Sequence, residues 1–205
     1  MSTEVICLEI SQIDAASKTL AHAFNDDPIF RHFASEREQA RLGAIQLLAK
    51  TALRYSQSYN HIYTTAKELK GVAIWIPPGK FPLNDLRLLR LGLYTLPFKL
   101  RLNRLRQLIS LFLTMEKHHK QDITQPHWYL FMLGVSPTYQ RQGIGNLLLQ
   151  PILKQADSEK LSCYLETSTE GGVRFYQRLG FEVVRTGGLP EADFKFWTMK
   201  RSPQS

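Results

Sequence analysis

Cysteine is nearly absent. Cys7 and Cys163 are the two thiols in 205 residues, too few for a disulfide framework and not at metal-ligand spacing. The expectation is a reducing, cytoplasmic setting with no metal centre. Long apolar runs are missing as well: Arg or Lys interrupts each candidate before the roughly 18 residues that a membrane span needs, so membrane insertion is not expected. Met1-Ser2-Thr3-Glu4-Val5 has no basic region leading into an apolar one, and no export signal is read there. Repeats and low-complexity segments are lacking, which excludes solenoids and propellers. Acidic residues are in deficit, 18 against 26 Lys and Arg for a formal charge of +8. That balance suits an anionic partner, whether nucleic acid, a membrane surface or a phosphorylated cofactor, and by itself separates none of them. What is present, 43% hydrophobic and 21% charged residues in a chain of 205, fits one globular domain over residues 1–205.

Periodicity and punctuation give an order of elements. Residues 3–10 alternate as an edge strand. Ser11 with Asp14 makes a capping-box signature ahead of a helix over 13–24. Ser35 with Glu38 repeats it before a second helix, striped by Leu42, Ile45, Leu48, Ala49 and Leu53. Strands over 61–65 and 71–76 form a hairpin, the second stopped by Pro77-Pro78-Gly79. From 84 to 120 leucines recur at helical intervals and Pro97 splits the stretch into two helices. Arg87, Arg90, Lys99, Arg101, Arg104 and Arg106 stand there on a nearly acid-free background. Two readings of them are open: a basic surface or lid over a cleft, or a solvated face whose long side chains shield the leucines.

A dense apolar run over 128–135 leaves through Gly134-Val135-Ser136-Pro137, as a central strand does. A helix over 145–159 follows, in which Pro151 predicts a kink. A strand over 163–167, a short helix over 172–179 and closing strands over 182–186 and 195–200 complete the chain, with Pro190 in the last turn. The fold class is α/β or α+β with a mixed sheet, interrupted by an inserted helical segment over about 82–120.

Between the central strand and the helix after it lies Gln140-Arg141-Gln142-Gly143-Ile144-Gly145. A strand running straight into a helix leaves backbone N–H groups pointing outward at the helix start, where the dipole favours an anion. Gly143 and Gly145 remove Cβ atoms that would keep a pyrophosphate off the backbone, and Arg141 adds positive charge. Leu148 stands where a dinucleotide fingerprint needs its third Gly, and no Gly-Lys-Ser/Thr follows, so neither of those nucleotide sites is expected.

Gln140, Gly143 and Gly145 match the Gln/Arg-x-x-Gly-x-Gly/Ala signature of the GNAT N-acetyltransferase superfamily. The segment Gly171-Gly172-Val173-Arg174-Phe175-Tyr176-Gln177-Arg178-Leu179-Gly180-Phe181 resembles its Phe-Tyr helix closing on Gly-Phe. The likeness covers about 71–199 outside the inserted helices and is best over about 128–199. Within the superfamily the sequence resembles the puromycin N-acetyltransferase-like branch. His127-Trp128-Tyr129-Leu130, Leu148-Leu149-Gln150-Pro151 and Tyr164-Leu165-Glu166-Thr167-Ser168 carry that likeness, and Asp27-Pro28 and Trp75 with Pro77-Pro78 echo it.

The resemblance implies a GNAT-type mixed, mostly antiparallel sheet, splayed at the cofactor site and flanked by helices. It implies acetyl-CoA as cosubstrate, its pyrophosphate on the amides of Gln140, Arg141, Gln142, Gly143, Ile144, Gly145 and Asn146. Its pantetheine arm would pair with the backbone of Leu133, Gly134 and Val135 like an added strand, given a bulge that splays the strand end. Thr169, where the family has Asn, offers the arm a hydroxyl, and Phe175 belongs to the same set.

Acetyl transfer from a thioester to an amine needs a deprotonated nucleophile, a polarised carbonyl and a proton for the leaving thiolate. By resemblance Tyr176 supplies the proton; the alternative is a core aromatic beside Phe175. The thioester oxygen is expected at the Val135 N–H. Glu166, in an apolar strand, is expected to have its charged form disfavoured and to act as base or amine ligand; the alternative is a structural carboxylate. His118, His119, His127 and Asp27 are reserves. The expected acceptor is the primary amine of a small molecule, the protein being a monomer or homodimer with no nucleic-acid partner. A protein or ribosomal acceptor and a non-catalytic acyl-CoA-binding module stay open.

Overall fold

The computed structural model describes residues 3–34, 36–189 and 194–204. Chain order is β1 (Val5–Cys7), α1 (Ile13–Ala23), α2 (Pro28–Phe33), α3 (Glu38–Ser56), β2 (Ile62–Thr65) and β3 (Gly71–Ile76). The inserted helices α4 (Asp85–Leu91) and α5 (Leu102–Asp122) follow. Then come β4 (His127–Val135), α6 (Ile144–Ser158), β5 (Ser162–Thr167), α7 (Glu170–Gln177), β6 (Glu182–Gly188) and β7 (Lys195–Arg201). The strands form one seven-stranded sheet ordered β1-β2-β3-β4-β5-β7-β6. β4 and β5 run parallel and every other neighbouring pair is antiparallel. This is the mixed α/β, mostly antiparallel sheet flanked by helices that the sequence predicts.

Alternation on β3 explains the layering. Val72 and Ile74 face α1 and α3, packing with Leu20, Ala49 and Leu53, while Ala73 and Trp75 face α6, packing with Leu148, Leu149 and Ile152. All six residues of β3 are buried, as expected for a strand covered on both faces. Pro151 lies within α6, whose residues run unbroken from Ile144 to Ser158.

Two departures from regular pairing sit together at the centre. Ile74 pairs with Met132 and Trp75 with Leu130, leaving Phe131 as an extra residue on β4. That is a β-bulge, which bends the strand that carries it. On its other side β4 pairs with β5 only from His127 opposite Ser162 to Leu130 opposite Leu165. Past that point β5 continues along β7, with Glu166 opposite Thr198. The two central strands therefore part where the bulge begins.

Several local expectations are corrected. β1 is three residues long, because Ile10–Gln12 winds into a 3-10 turn. Its start is closed by the Glu9 N–H donating to Gln12 Oε1 at 3.0 Å; Ser11 bonds Glu9 instead, and Asp14 pairs with Lys50. The short α2 was not anticipated, although Asp27 caps it and Pro28 opens it. Leu93–Phe98 is a 3-10 segment, with Pro97 inside it, between the two inserted helices. Ser35 and Pro190 lie outside the described residues.

α1 packs tightly over β4 at Gly134: a Cβ there would stand 2.8 Å from Leu20 Cδ2 and 3.0 Å from Ala23 Cβ. Gly134→Ala is expected to lower unfolding free energy by about 1–3 kcal/mol through overpacking, read from urea denaturation; an unchanged midpoint would show that α1 yields freely.

Candidate active site

Where β4 and β5 part, a cleft of about 1430 Å³ opens. Its first wall is the loop into α6. Arg141 (φ 62°) and Gly143 (φ 78°) both adopt the left-handed region, and α6 begins at Ile144 with no side-chain cap. Leu147 N–H, bonded to the Gly143 carbonyl at 3.1 Å, starts the helical ladder, so the N–H groups of Ile144, Gly145 and Asn146 precede it. Gly143 serves its backbone angle, since a Cβ there would meet nothing within 4 Å. Gly145 serves packing: its Cβ would lie 3.2 Å from the Phe175 ring.

Two glutamines brace this loop. Gln140 Nε2 donates to the Val135 carbonyl and Gln142 Nε2 to the Thr138 carbonyl, each at 3.1 Å. An uncapped helix start beside the exposed Arg141 guanidinium is chemistry for a phosphate.

The second wall is the freed edge of β4. Ser136 N–H donates to the Lys70 carbonyl at 2.8 Å, on the β3 side. Strand alternation then turns the peptide groups of Leu133 and Val135 toward the gap and those of Gly134 toward β3. Gly134 itself turns its N–H and carbonyl toward β3, and the absence of a side chain there leaves room for α1.

The third part carries the reactive groups. Glu166 is the first residue of β5 beyond its pairing with β4, and its side chain is 6% exposed. Burial pushes its carboxyl up to about 8; the Tyr129 hydroxyl, which donates to it, pulls the other way, and the Asp122 charge adds to the rise. Tyr176 on α7 lies in the cleft wall, edge-on to Phe175 at 5.0 Å and Phe181 at 5.7 Å. Burial pushes its phenol up, so it keeps its proton. Thr169 caps α7, its Oγ1 accepting from Gly172 N–H at 3.0 Å.

The reserve residues separate. Asp27 caps α2 by accepting from Ile29 N–H at 2.9 Å and accepts from the Ser168 hydroxyl, pinning α2 beside the end of β5. Its carboxyl is raised by burial. His118 packs against Phe196 at 5.6 Å. His119 and His127 come together, Nε2 to Nε2 at 2.7 Å, and His119 Nδ1 is 3.5 Å from Glu166 Oε1.

The inserted helices close the far end with Leu88, Leu89, Ile109, Phe112 and Leu113. Leu89, Ile109, Phe112 and Leu113 are exposed to the extent of 44–60% because they face the cleft. Arg87 lies over the Tyr55 ring at 4.6 Å and Arg104 Nη1 contacts His32 Nε2 at 2.9 Å, so both tie the inserted helices to the rest of the fold. Arg90, Lys99, Arg101 and Arg106 face solvent. The sequence assigns no site role to Tyr129 or Asp122; the one lies in an apolar run, and the other gains meaning only through its contacts with β5, β6 and β7. Among the described residues no group of three metal-ligating side chains converges, and no helix is long and apolar enough to cross a membrane.

Residues 109–181 match the acetyltransferase (GNAT) family model. The chain is 26% identical over 178 residues to an uncharacterised N-acetyltransferase of Schizosaccharomyces pombe, covering 85% of this chain and 72% of that one. Two solved structures share its fold at a TM-score of 0.68. One, from Corynebacterium glutamicum, is described as histone acetyltransferase HPA2 and related acetyltransferase (20% identity, 100% of this chain, 98% of that one). The other is arylalkylamine N-acetyltransferase 2 from Aedes aegypti (11% identity, all of both chains). The stretch that matches the family model takes in β4, α6, β5 and α7.

With the Glu166 carboxyl raised from 4.5 to about 8, the folded protein holds a proton that the unfolded chain releases between those values. That contribution makes stability fall as pH rises across the window and level off above it. Glu166→Gln removes it, so the variant is expected to melt above the wild type at pH 9 with the gap closing toward pH 5. Calorimetric melting curves that stay parallel across pH would show that Glu166 is not buried as an acid.

Proposed function

We propose that this chain is an acetyltransferase of the GNAT superfamily and that it acetylates the primary amine of a small molecule with a bulky apolar body, using acetyl-CoA. The observation that carries the reading is one continuous cleft running from the uncapped start of α6 to the apolar wall of the lid, with Glu166 and Tyr176 along it. Its size exceeds the roughly 300–1,000 Å³ of a single small-ligand pocket and suits two substrates end to end.

The residues fit acetyl-CoA. The amides of Ile144, Gly145 and Asn146, with Arg141, would hold the pyrophosphate, and the open edge of Leu133 the pantetheine arm, the Val135 carbonyl being taken by Gln140. Bound there, acetyl-CoA supplies an acetyl thioester. The amine nitrogen forms the new bond to the acetyl carbon as the carbon–sulfur bond breaks. Glu166, ionised, removes the proton of the substrate ammonium, and an apolar surrounding strengthens that affinity. Tyr176, kept neutral by burial, would protonate the departing thiolate and regain a proton from the newly acylated nitrogen as the amide forms. The Val135 N–H polarises the thioester oxygen.

The acceptor class follows from the lid. Leu88, Leu89, Ile109, Phe112 and Leu113 make a surface that rewards apolar bulk, while Glu166 and Asp27 favour a cationic head. The likeness to the puromycin N-acetyltransferase-like branch and to the arylalkylamine enzyme is consistent with this.

Thiol release from acetyl-CoA against an amine panel tests it. Arylalkylamines and aminonucleosides are expected to outrun polyamines, aminoglycosides and peptide N-termini in kcat/KM. Phe112→Ala is expected to raise the KM of the preferred amine about 10-fold and leave that of acetyl-CoA unchanged. A preference for peptides, or silence throughout with tight CoA binding, would overturn the reading.

A further inference from the structure

His119 lies near the end of α5 with its ring clamped between Phe81, stacked at 3.6 Å, and Tyr164, stacked at 3.9 Å. The clamp fixes the ring plane, so each nitrogen has an assigned neighbour. Nε2 meets His127 Nε2 at 2.7 Å; Nδ1 is buried without a hydrogen-bond partner and faces Glu166 Oε1 at 3.5 Å. His127 Nδ1 in turn lies 2.7 Å from the Gln125 carbonyl oxygen.

These contacts determine where the protons are. A carbonyl only accepts, so His127 carries its hydrogen on Nδ1, and neutral His127 presents a lone pair at Nε2. The short contact then requires His119 to donate from Nε2. That leaves a second lone pair, at His119 Nδ1, aimed at the Glu166 carboxyl group. Burial holds both imidazoles neutral by lowering their pKa values. The other titratable groups around them are Tyr129 and Tyr164 on the sheet, Asp122 at the end of α5, and Lys200 on β7 near His127. Asp122 is engaged by the Arg185 guanidinium at 2.9 Å and accepts from the Thr198 hydroxyl at 2.7 Å, so that guanidinium is paired with Asp122 and not with Glu166.

We infer that Glu166 and His119 act as one proton-accepting unit, and that His127 is a positioning residue whose acceptor nitrogen locks His119 with its Nδ1 lone pair facing the carboxyl group. A carboxylate facing a lone pair is an unfavourable arrangement. One proton arriving between them, whether it sits on oxygen or on nitrogen, turns it into a hydrogen bond. The unit therefore draws a proton more strongly than Glu166 alone would, which is what removal of a proton from a substrate ammonium requires. The inference rests on the reading of Glu166 as base, and the same lock can be observed without turnover.

The test compares two variants and one spectrum. His127→Phe removes the acceptor, frees His119 to donate from Nδ1 to the carboxylate, and is expected to move the acidic limb of kcat/KM down by about one pH unit. His127→Gln retains an acceptor oxygen for His119 Nε2–H and is expected to keep the wild-type limb. An unmoved limb in folded His127→Phe protein, or an equal shift in His127→Gln, overturns the inference. Should His127→Phe not fold, nitrogen-15 spectra of the wild-type histidine rings decide it. At pH 10, well above the value of about 8 to which the Glu166 carboxyl is raised, they are expected to show His119 protonated on Nε2 alone and His127 on Nδ1 alone; a hydrogen on His119 Nδ1 there contradicts the lock. Failure of every amine in the panel, with these tautomers present, would instead count against the proposed reaction.

Discussion

The parting of β4 from β5 beyond Leu130 and Leu165 is the constraint on which the rest depends. A parallel pair this deep in a sheet would ordinarily run to the ends of both strands, its polar groups satisfied by each other. Here the extra residue Phe131 bends β4, which stays paired with β3 to Val135, and β5 keeps its partner in β7. The gap leaves the peptide groups of Leu133 and Val135 without a strand neighbour on that side and brings Glu166 to its edge. It also lets the loop after β4 deliver the start of α6 to the same opening. One irregularity in register thus creates a backbone edge, a reactive carboxyl group and an anion site within one cleft.

Charge is distributed unequally among the buried and half-buried carboxylates. Asp157 accepts two bonds from Arg201, at 2.6 and 2.8 Å, and Asp122 is paired with Arg185. Glu166, the carboxylate at the gap, has a phenol and an imidazole for neighbours and no guanidinium. A buried carboxyl group without a cation takes up a proton, and the preference for doing so is the property a base in this position needs. The aromatic clamp around His119 belongs to the same arrangement, since a ring free to turn would offer the carboxylate a donor and lower its affinity for protons.

Much of this was legible in the sequence, and what was not has a physical reason. The loop from Gln140 to Gly145 could be read because a helix start is a local feature, and the Phe175-Tyr176 segment because its spacing to Gly180-Phe181 is local too. The hairpin of β2 and β3 followed from alternation and from the prolines after Ile76. The helix α2 escaped because six residues show no period, although Asp27 and Pro28 are an N-cap and a first-turn proline. Ser11 failed as a cap because Glu9 and Gln12 closed that start first. The partners of Glu166 were beyond reach: Tyr129, His119 and Asp122 come from a strand and a helix more than thirty residues earlier, and only sheet pairing and the fold of the inserted helices join them. The exposed leucines and phenylalanine of α5 looked like one side of an amphipathic helix; the cleft they line is visible only in three dimensions.

The central claim is that the gap and the uncapped start of α6 together hold the cofactor. Backbone amide spectra recorded during titration with acetyl-CoA test it most directly. The account predicts that the amides of Leu133, Val135, Ile144, Gly145 and Asn146 shift together and saturate with one affinity. Shifts confined to the exposed faces of α4 and α5, or none at the start of α6, would contradict it.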